Sequence, residues 1–369
     1  MHASVEELAA LLALTRIAGL GPKTVRLLVA QFGGVWSVFE ASPEAMVSVP
    51  GVTEAIAREI ASANPQEDVQ EEMAYYEAHD IRLLPYWDAD YPVRLKEVPD
   101  APLLLFYKGS APLNRRRILA VVGTRTPTSY GMYMTEAILR DLSGYDILIV
   151  SGLAYGIDAL AHRTALEQGM DTVAVLAHGM DTLYPALHKG LAQRIVRQGG
   201  LLTEYPKGHR PYKERFPARN RIIAALSDAV LIIESGRGGG SMITAQYAVD
   251  YHREVLAVPG RATDEKSEGT NYLIYNQTAQ LVRDAEDIVE CLQWQNARRD
   301  SGVQMEMFPQ LDDEEKELLS HLPKGVEVPL EHLVAATQWT IPRLSTLLLG
   351  LEMKGLIKSC PGSAYMRLT

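Results

Sequence analysis

The chain has 369 residues, 47% of them hydrophobic, a formal net charge of −10 and two cysteines, Cys291 and Cys360. That length exceeds one ordinary core and predicts two or three domains, while two distant cysteines exclude a disulfide framework or a thiolate zinc site and fit a reducing cytoplasm. The acidic balance argues against indiscriminate nucleic-acid binding yet leaves room for a local basic strip, and without a membrane-length apolar run or a signal peptide at MHASVEELAA the expectation is a soluble, cytoplasmic protein.

Residues 1–64 predict an all-helical domain. Val5 to Ile17 carries apolar residues at helical spacing and ends in Ala18-Gly19-Leu20-Gly21-Pro22-Lys23, where the glycines allow a hairpin and Pro22 suits the first turn of a helix over Thr24 to Phe32. A second such turn, Val49-Pro50-Gly51-Val52-Thr53, precedes a helix from Glu54 to Ala61. The pair resembles helix-hairpin-helix repeats, whose turn N–H groups can hold a phosphate. Helices packed around glycine turns with no ligand would give the same pattern, and only Lys23 and Arg26 add charge at the first turn.

Asn64 to Glu72 is polar and acidic and predicts a linker running into a helix around Met73 to Ala78, so that 65–80 reads as linker and helix. Ile81 to Pro85 and Leu103 to Tyr107 predict short strands at the edge of a domain spanning 81–296, with a packed turn-rich loop, Tyr86 to Pro92, between them.

From Ile118 the pattern becomes regular. Five apolar residues, Ile118 to Val122, run into Gly123-Thr124-Arg125, and Pro127, Thr128 and Ser129 then precede a helical pattern carrying Met132, Met134, Ile138 and Leu139. This is the order of a buried parallel strand, a tight turn and a helix N-terminus. Open α/β sheets bind ligands at that end of a strand, a helix N-terminus offers free N–H groups there, and an arginine in the turn points to an anion. Further strands are predicted at Ile147 to Val150, Thr172 to Ala177, Gly200 to Glu204, Ala229 to Glu234, Val255 to Val258 and Gln280 to Arg283, each followed by a loop and a helical segment. Repeated βα units predict an α/β domain with a doubly wound, mainly parallel, Rossmann-like sheet.

Several chemistries fail against these residues. The first turn is not G-x-G-x-x-G and the second strand ends in Val150-Ser151-Gly152 without an acid, which excludes NAD or NADP. Gly238-Gly239-Gly240-Ser241 has no lysine, which excludes a P-loop, and no G-x-S-x-G elbow or H-E-x-x-H pair is present. His162, His178 and His188 are scattered and read as structural.

What stands out is KGHRPYKERFPARNR, Lys207 to Arg221, in which six cations meet the single acid Glu214 and interleave with Tyr212 and Phe216. Cations that follow phosphates beside aromatic faces that stack on bases suit single-stranded nucleic acid. A solvated charged loop is the bland alternative, but this stretch leaves the carboxyl end of a predicted strand and enters a helix through Arg219-Asn220-Arg221. Downstream, Glu234-Ser235-Gly236-Arg237-Gly238-Gly239-Gly240-Ser241 again joins strand to helix and offers N–H groups and a helix dipole to an anion.

GTRTPTSYG, SGLAYGIDALAH, FPARNRIIAALSDAVLIIES, GRGGGSMITAQYA, REVLAVPG and EGTNYLI, in order over Val121 to Ile274, resemble the DNA-processing protein A family, also called DprA or Smf. The helical N-terminus resembles the SAM-like domain of many members. The resemblance implies a cytoplasmic bacterial protein of natural transformation that binds incoming single-stranded DNA, dimerises through its Rossmann-like domain, displaces single-strand-binding protein and loads RecA. It implies no cofactor, no metal and no catalytic residue. Its binding pocket maps onto Gly123, Thr124 and Arg125, onto Phe216, Arg219, Asn220 and Arg221, and onto Gly240 and Ser241; Thr124 stands where serine is also common and keeps the hydroxyl. Lys213 is added on charge alone. Nucleotide phosphoribohydrolases of the same superfamily are the main competitor, but their catalytic glutamate would fall at Thr244, so an enzyme is not expected.

After a linker at 297–310, residues 311–369 predict helices over Asp312 to Leu319, Leu330 to Ala335 and Thr340 to about Lys354, with Gly355 as stop. Leu356 to Lys358 and Ala364 to Leu368, joined across Pro361-Gly362, would add a hairpin wing, as in the winged helix of many family members. A duplex reader would show basic and amide side chains from the third helix. Here Arg343 and Lys354 stand among Ile341, Leu344, Leu347, Leu348, Leu349, Leu351 and Met353. Most of that helix is therefore expected to be core, and the domain an accessory one.

Overall fold

The computed structural model describes residues 3–294, 312–323, 326–353, 356–360 and 363–367. They fall into two units, one holding everything described up to residue 294 and the other everything from residue 312 onward. Among the described residues no helix is long and apolar enough to cross a membrane.

The first unit opens with six helices, α1 (Val5–Arg16), α2 (Pro22–Phe32), α3 (Val35–Glu40), α4 (Pro43–Val47), α5 (Glu54–Ser62) and α6 (Pro65–Ala78). Ser4 and Glu7 form a reciprocal capping box at α1, Pro22 opens α2, and Thr53 caps α5 by accepting from the Ile56 N–H. The expected linker over Asn64 to Glu72 is instead the first half of α6. Its apolar residues Val69, Met73 and Tyr76 recur at i, i+4 and i+7, a stripe too narrow to stand out among acids, and it becomes stable by packing on α1. The apolar cluster so formed continues into Ile81, Leu103, Leu104 and Phe106, joining the helices to the edge of the sheet.

The sheet region follows as β1 (Arg82–Pro85), α7 (Val93–Lys96), β2 (Leu104–Gly109), β3 (Ile118–Val122), α8 (Ser129–Leu142), β4 (Leu148–Ser151), α9 (Ile157–Glu167), β5 (Thr172–Val175), α10 (Lys189–Gln198), β6 (Gly200–Thr203), α11 (Arg215–Leu226), β7 (Ala229–Ile232), α12 (Gly240–Asp250), β8 (Glu254–Ala257), α13 (Glu268–Tyr275), β9 (Gln280–Leu281) and α14 (Ala285–Cys291). Among the described residues the strands form one sheet in the order β1-β2-β6-β5-β4-β3-β7-β8-β9, parallel from β6 to β9, with β2 and β1 antiparallel at one edge. In β3, Ile118, Ala120 and Val122 enter the core on one face while Leu119 and Val121 enter that on the other. Both faces are covered by helices, so the strands read as continuous apolar runs. Burying each Ile, Leu or Val of these runs contributes about 1.5–3 kcal/mol.

The second unit contains α15 (Asp313–Ser320), β10 (Glu327–Pro329), α16 (Leu330–Thr337), α17 (Ile341–Met353), β11 (Ile357–Cys360) and β12 (Ala364–Arg367), with strand order β10-β12-β11. This is the expected winged helix, with Leu344, Leu348 and Leu351 of α17 buried and Ile341 and Leu349 exposed. Strand β10 has no counterpart among the expected elements: it is three residues long and exists only through pairing with β12, Val328 opposite Tyr365. Lys354, Gly355, Pro361, Gly362 and the 297–310 linker lie outside the described residues.

Candidate nucleic-acid interface

The chain moves outward from β3 through β4 and β5 to β6, and α11 then carries it back to β7 on the other side of β3. Strand order reverses there, which parts the loops at the carboxyl ends and leaves a crevice. A cleft of about 640 Å3 occupies that place, and Gly123, Thr124, Arg125, Lys213, Phe216, Arg219, Asn220, Gly240 and Ser241 all line it.

Phe216 is the centre of the arrangement. The Arg125 guanidinium lies 5.8 Å from its ring centroid and that of Arg219 lies 6.0 Å away, while Tyr184 meets it edge-on at 5.6 Å. Arg125 is exposed, whereas Arg219 is buried and donates through Nη1 to the Gly152 carbonyl at 2.6 Å and to the Val175 carbonyl. Gly152 leaves room for it: a Cβ there would stand 2.6 Å from the Arg219 guanidinium and would displace it from its carbonyl partners. Burial pushes the Arg219 pKa down to about 10, with the Asp158 carboxylate opposing, so it remains a cation at neutral pH. Burial likewise pushes Asp158 up, opposed by Arg219 and by the Ala154 and Gly152 N–H groups at 3.4 and 3.2 Å. Beside α11, no side chain caps α12, whose first turn begins with Gly240 and Ser241; Asn220 donates to the Gly240 carbonyl at 3.2 Å, and Ser241 Oγ meets Ser235 Oγ at 2.8 Å. The cleft thus offers an aromatic ring with two guanidinium groups about it and, in the same lining, the positive end of a helix, which suits a stacked base beside a phosphate.

Residues 82–293 match the family DNA recombination-mediator protein A. Protein Smf of Synechocystis sp. is 32% identical over 96% of this chain and 98% of its own length. The chain belongs to the DNA recombination-mediator protein A family. Residues 11–63 match a SAM-like helix-hairpin-helix tandem and residues 308–363 the DprA winged helix domain. DNA processing protein A of Streptococcus pneumoniae has a solved structure 32% identical to this chain, with TM-score 0.67 over 79% of this chain and 98% of that one. A structure of the Helicobacter pylori protein, described for its single-stranded DNA binding mode, is 31% identical with TM-score 0.53 over 58% of this chain and 96% of that one.

In this family member Arg221 departs from the expected pocket. The sequence pattern places Arg219 to Arg221 at a helix entrance, but α11 begins at Arg215, so they occupy its second turn. Successive residues on a helix point about 100° apart, and three in a row cannot share a face. Arg219 and Asn220 reach the cleft; Arg221 turns behind it to the Glu204 carboxylate and to the Asp100 carbonyl at 2.7 Å. There it ties α11 to the end of β6.

A second departure concerns α8. The expected anion seat at its N-terminus is filled from within: the buried Glu234 carboxylate accepts from the Thr128 N–H at 2.9 Å and from the Thr128 hydroxyl. Gly131 leaves space for that carboxylate, which a Cβ there would push aside. Glu234 thereby anchors the cap residue of α8, while the first turn of α12 contributes Gly240 and Ser241 to the cleft. The basic strip is also more divided than its composition suggests. Lys213 lines the cleft, but Arg215 is held between the Tyr205 and Tyr212 rings, and the Lys207 ammonium lies 4.7 Å from the Tyr75 centroid.

Tyr184, Pro211 and Asp158 also line the cleft, and sequence reasoning alone does not find them. Tyr184 sits in an irregular loop with no spacing to betray it, while Asp158 in SGLAYGID lies one turn after a glycine-rich strand end, which is a usable signal. His162 is structural as expected: burial pushes its pKa down to about 3, and Nδ1 pairs with Thr172 Oγ1 at 2.7 Å.

Proposed function

We propose that this chain is a DNA-processing protein that captures single-stranded DNA in the cleft at the β3/β7 reversal, shields incoming DNA during transformation and hands it to RecA. On this reading it works in the cytoplasm as a homodimer and displaces single-strand-binding protein. The observation that carries it is Phe216, with the Arg125 and Arg219 guanidinium groups about its ring, inside a cleft that is also lined by an uncapped helix start. A ring face is open to any unpaired base, whereas the faces of paired bases are covered by their neighbours in a duplex. The single-stranded DNA binding mode described for the Helicobacter pylori relative points the same way.

Hydrolysis of nucleotides is disfavoured on chemical grounds. Thr244 lines the cleft where a catalytic acid would be needed, and the nearby Glu234 carboxylate is committed to capping α8. Titrating labelled dT oligonucleotide against matched duplex at two salt concentrations tests the proposal. Single strands should bind more tightly, with an affinity that falls as salt rises. Preference for duplex, or turnover of nucleoside monophosphates that a cleft substitution abolishes, would overturn it.

The winged helix reads as an accessory or partner-contact module. Arg343, the one described cation of α17, is paired with Glu314 at 2.6 Å and lies 4.8 Å from the Trp339 ring, and α15 opens with Asp313, Glu314 and Glu315. Those acids repel a phosphate backbone. Ending the chain at Ser301 should therefore keep most single-strand affinity; a folded truncation whose affinity fell by about tenfold or more would give the terminal unit the leading role.

A further inference from the structure

The basic loop between β6 and α11 does not stand free. Its Lys207 N–H donates both to Glu72 Oε1 at 3.1 Å and to the Tyr76 hydroxyl at 2.9 Å, and the Tyr76 hydroxyl in turn donates to Glu72. Glu72 also takes Arg16 of α1 as an ion pair, although its side chain is 5% exposed. Two more bonds hold the loop: the Gly208 N–H donates to Asp181 at 3.0 Å and the Gly179 N–H to the His209 carbonyl at 2.8 Å. A few residues on, Pro211 and Lys213 enter the cleft.

We propose that Glu72 is a positioning residue for the DNA cleft, fixing from the N-terminal helices the backbone of the loop that delivers Lys213. The proposal rests on the cleft being the DNA site. A buried carboxylate shared by Arg16, Tyr76 and a main-chain N–H has no reason to lie at a helix-to-loop contact for solubility, and an apolar pair would pack there without needing three donors. Because the loop is short, holding Lys207 restricts where Lys213 can go, so less entropy is lost when Lys213 meets a phosphate. Glu72 touches no DNA on this reading and acts through the loop alone.

The test uses the full chain with Glu72→Gln, Lys213→Ala and the double variant, each titrated with dT oligonucleotide, alongside hydrogen exchange of residues 205–213 without DNA. Glu72→Gln should raise the dissociation constant by about fivefold or more and speed exchange across the loop. Lys213→Ala should then cost much less in the Glu72→Gln background than in the wild type, because the two substitutions remove the same advantage. Additive effects, or unchanged loop exchange with wild-type binding intact, would overturn the positioning role. A wild-type chain that bound no dT oligonucleotide would instead remove the cleft reading, and this proposal with it. Should Glu72→Gln fold poorly, Tyr76→Phe removes the two bonds of the same set that the hydroxyl makes, to Glu72 and from the Lys207 N–H, and should give the same coupling to Lys213.

Discussion

Replacing Arg125 by glutamate is expected to weaken dT oligonucleotide binding by about tenfold or more and to lower the salt slope by about 0.7 for each phosphate that no longer meets a cation. The side chain is exposed and its guanidinium rests over the Phe216 ring, so the substitution removes a cation from the cleft and places a carboxylate there without disturbing a core. Fluorescence anisotropy at several salt concentrations reads both quantities, and an unchanged slope in a folded variant would reject the assignment of Arg125 to phosphate. Arg219 makes a poorer probe despite lining the same cleft. It is buried against the Gly152 and Val175 carbonyls near Asp158, and a glutamate there would bury a carboxylate among oxygens and lower stability first.

Phe216→Ala is expected to cost about 1–3 kcal/mol of single-strand affinity if the ring stacks on a base. The ring is half-buried, and it rests against Tyr184 and two guanidinium groups rather than in the aliphatic core. Thermal stability should therefore change little while binding falls. A phenylalanine acting as core would give the opposite pair of results, a loss of about 3–5 kcal/mol in stability with the affinity of the folded fraction preserved. Calorimetry beside the titration separates the two.

The strands and their order of appearance were determined by the sequence, because a parallel strand covered on both faces must be apolar at every position and Ile118 to Val122 cannot satisfy that anywhere but inside. Glycines and caps were equally local: Pro22, Thr53 and Asp312 mark helix starts through bonds that span only a few residues. Much of the cleft's lining was legible for the same reason, since Gly123 to Arg125 and Gly240 to Ser241 lie beyond strand ends, although Tyr184, Pro211 and Asp158 were not. What only tertiary structure decided is which way several of these side chains face. No side chain caps α11 and Pro217 invites a later start, so the true start at Arg215, which swings Arg221 away from the cleft, left no local mark. Glu234 filling the N-terminus of α8 joins residues 106 apart in the chain. The half of α6 that reads as linker owes its helix to α1, and through Glu72 to a loop 135 residues further on. Such contacts are set by the packing of distant segments against one another, and a single chain's pattern of apolar and polar residues constrains which face is buried but not which partner buries it.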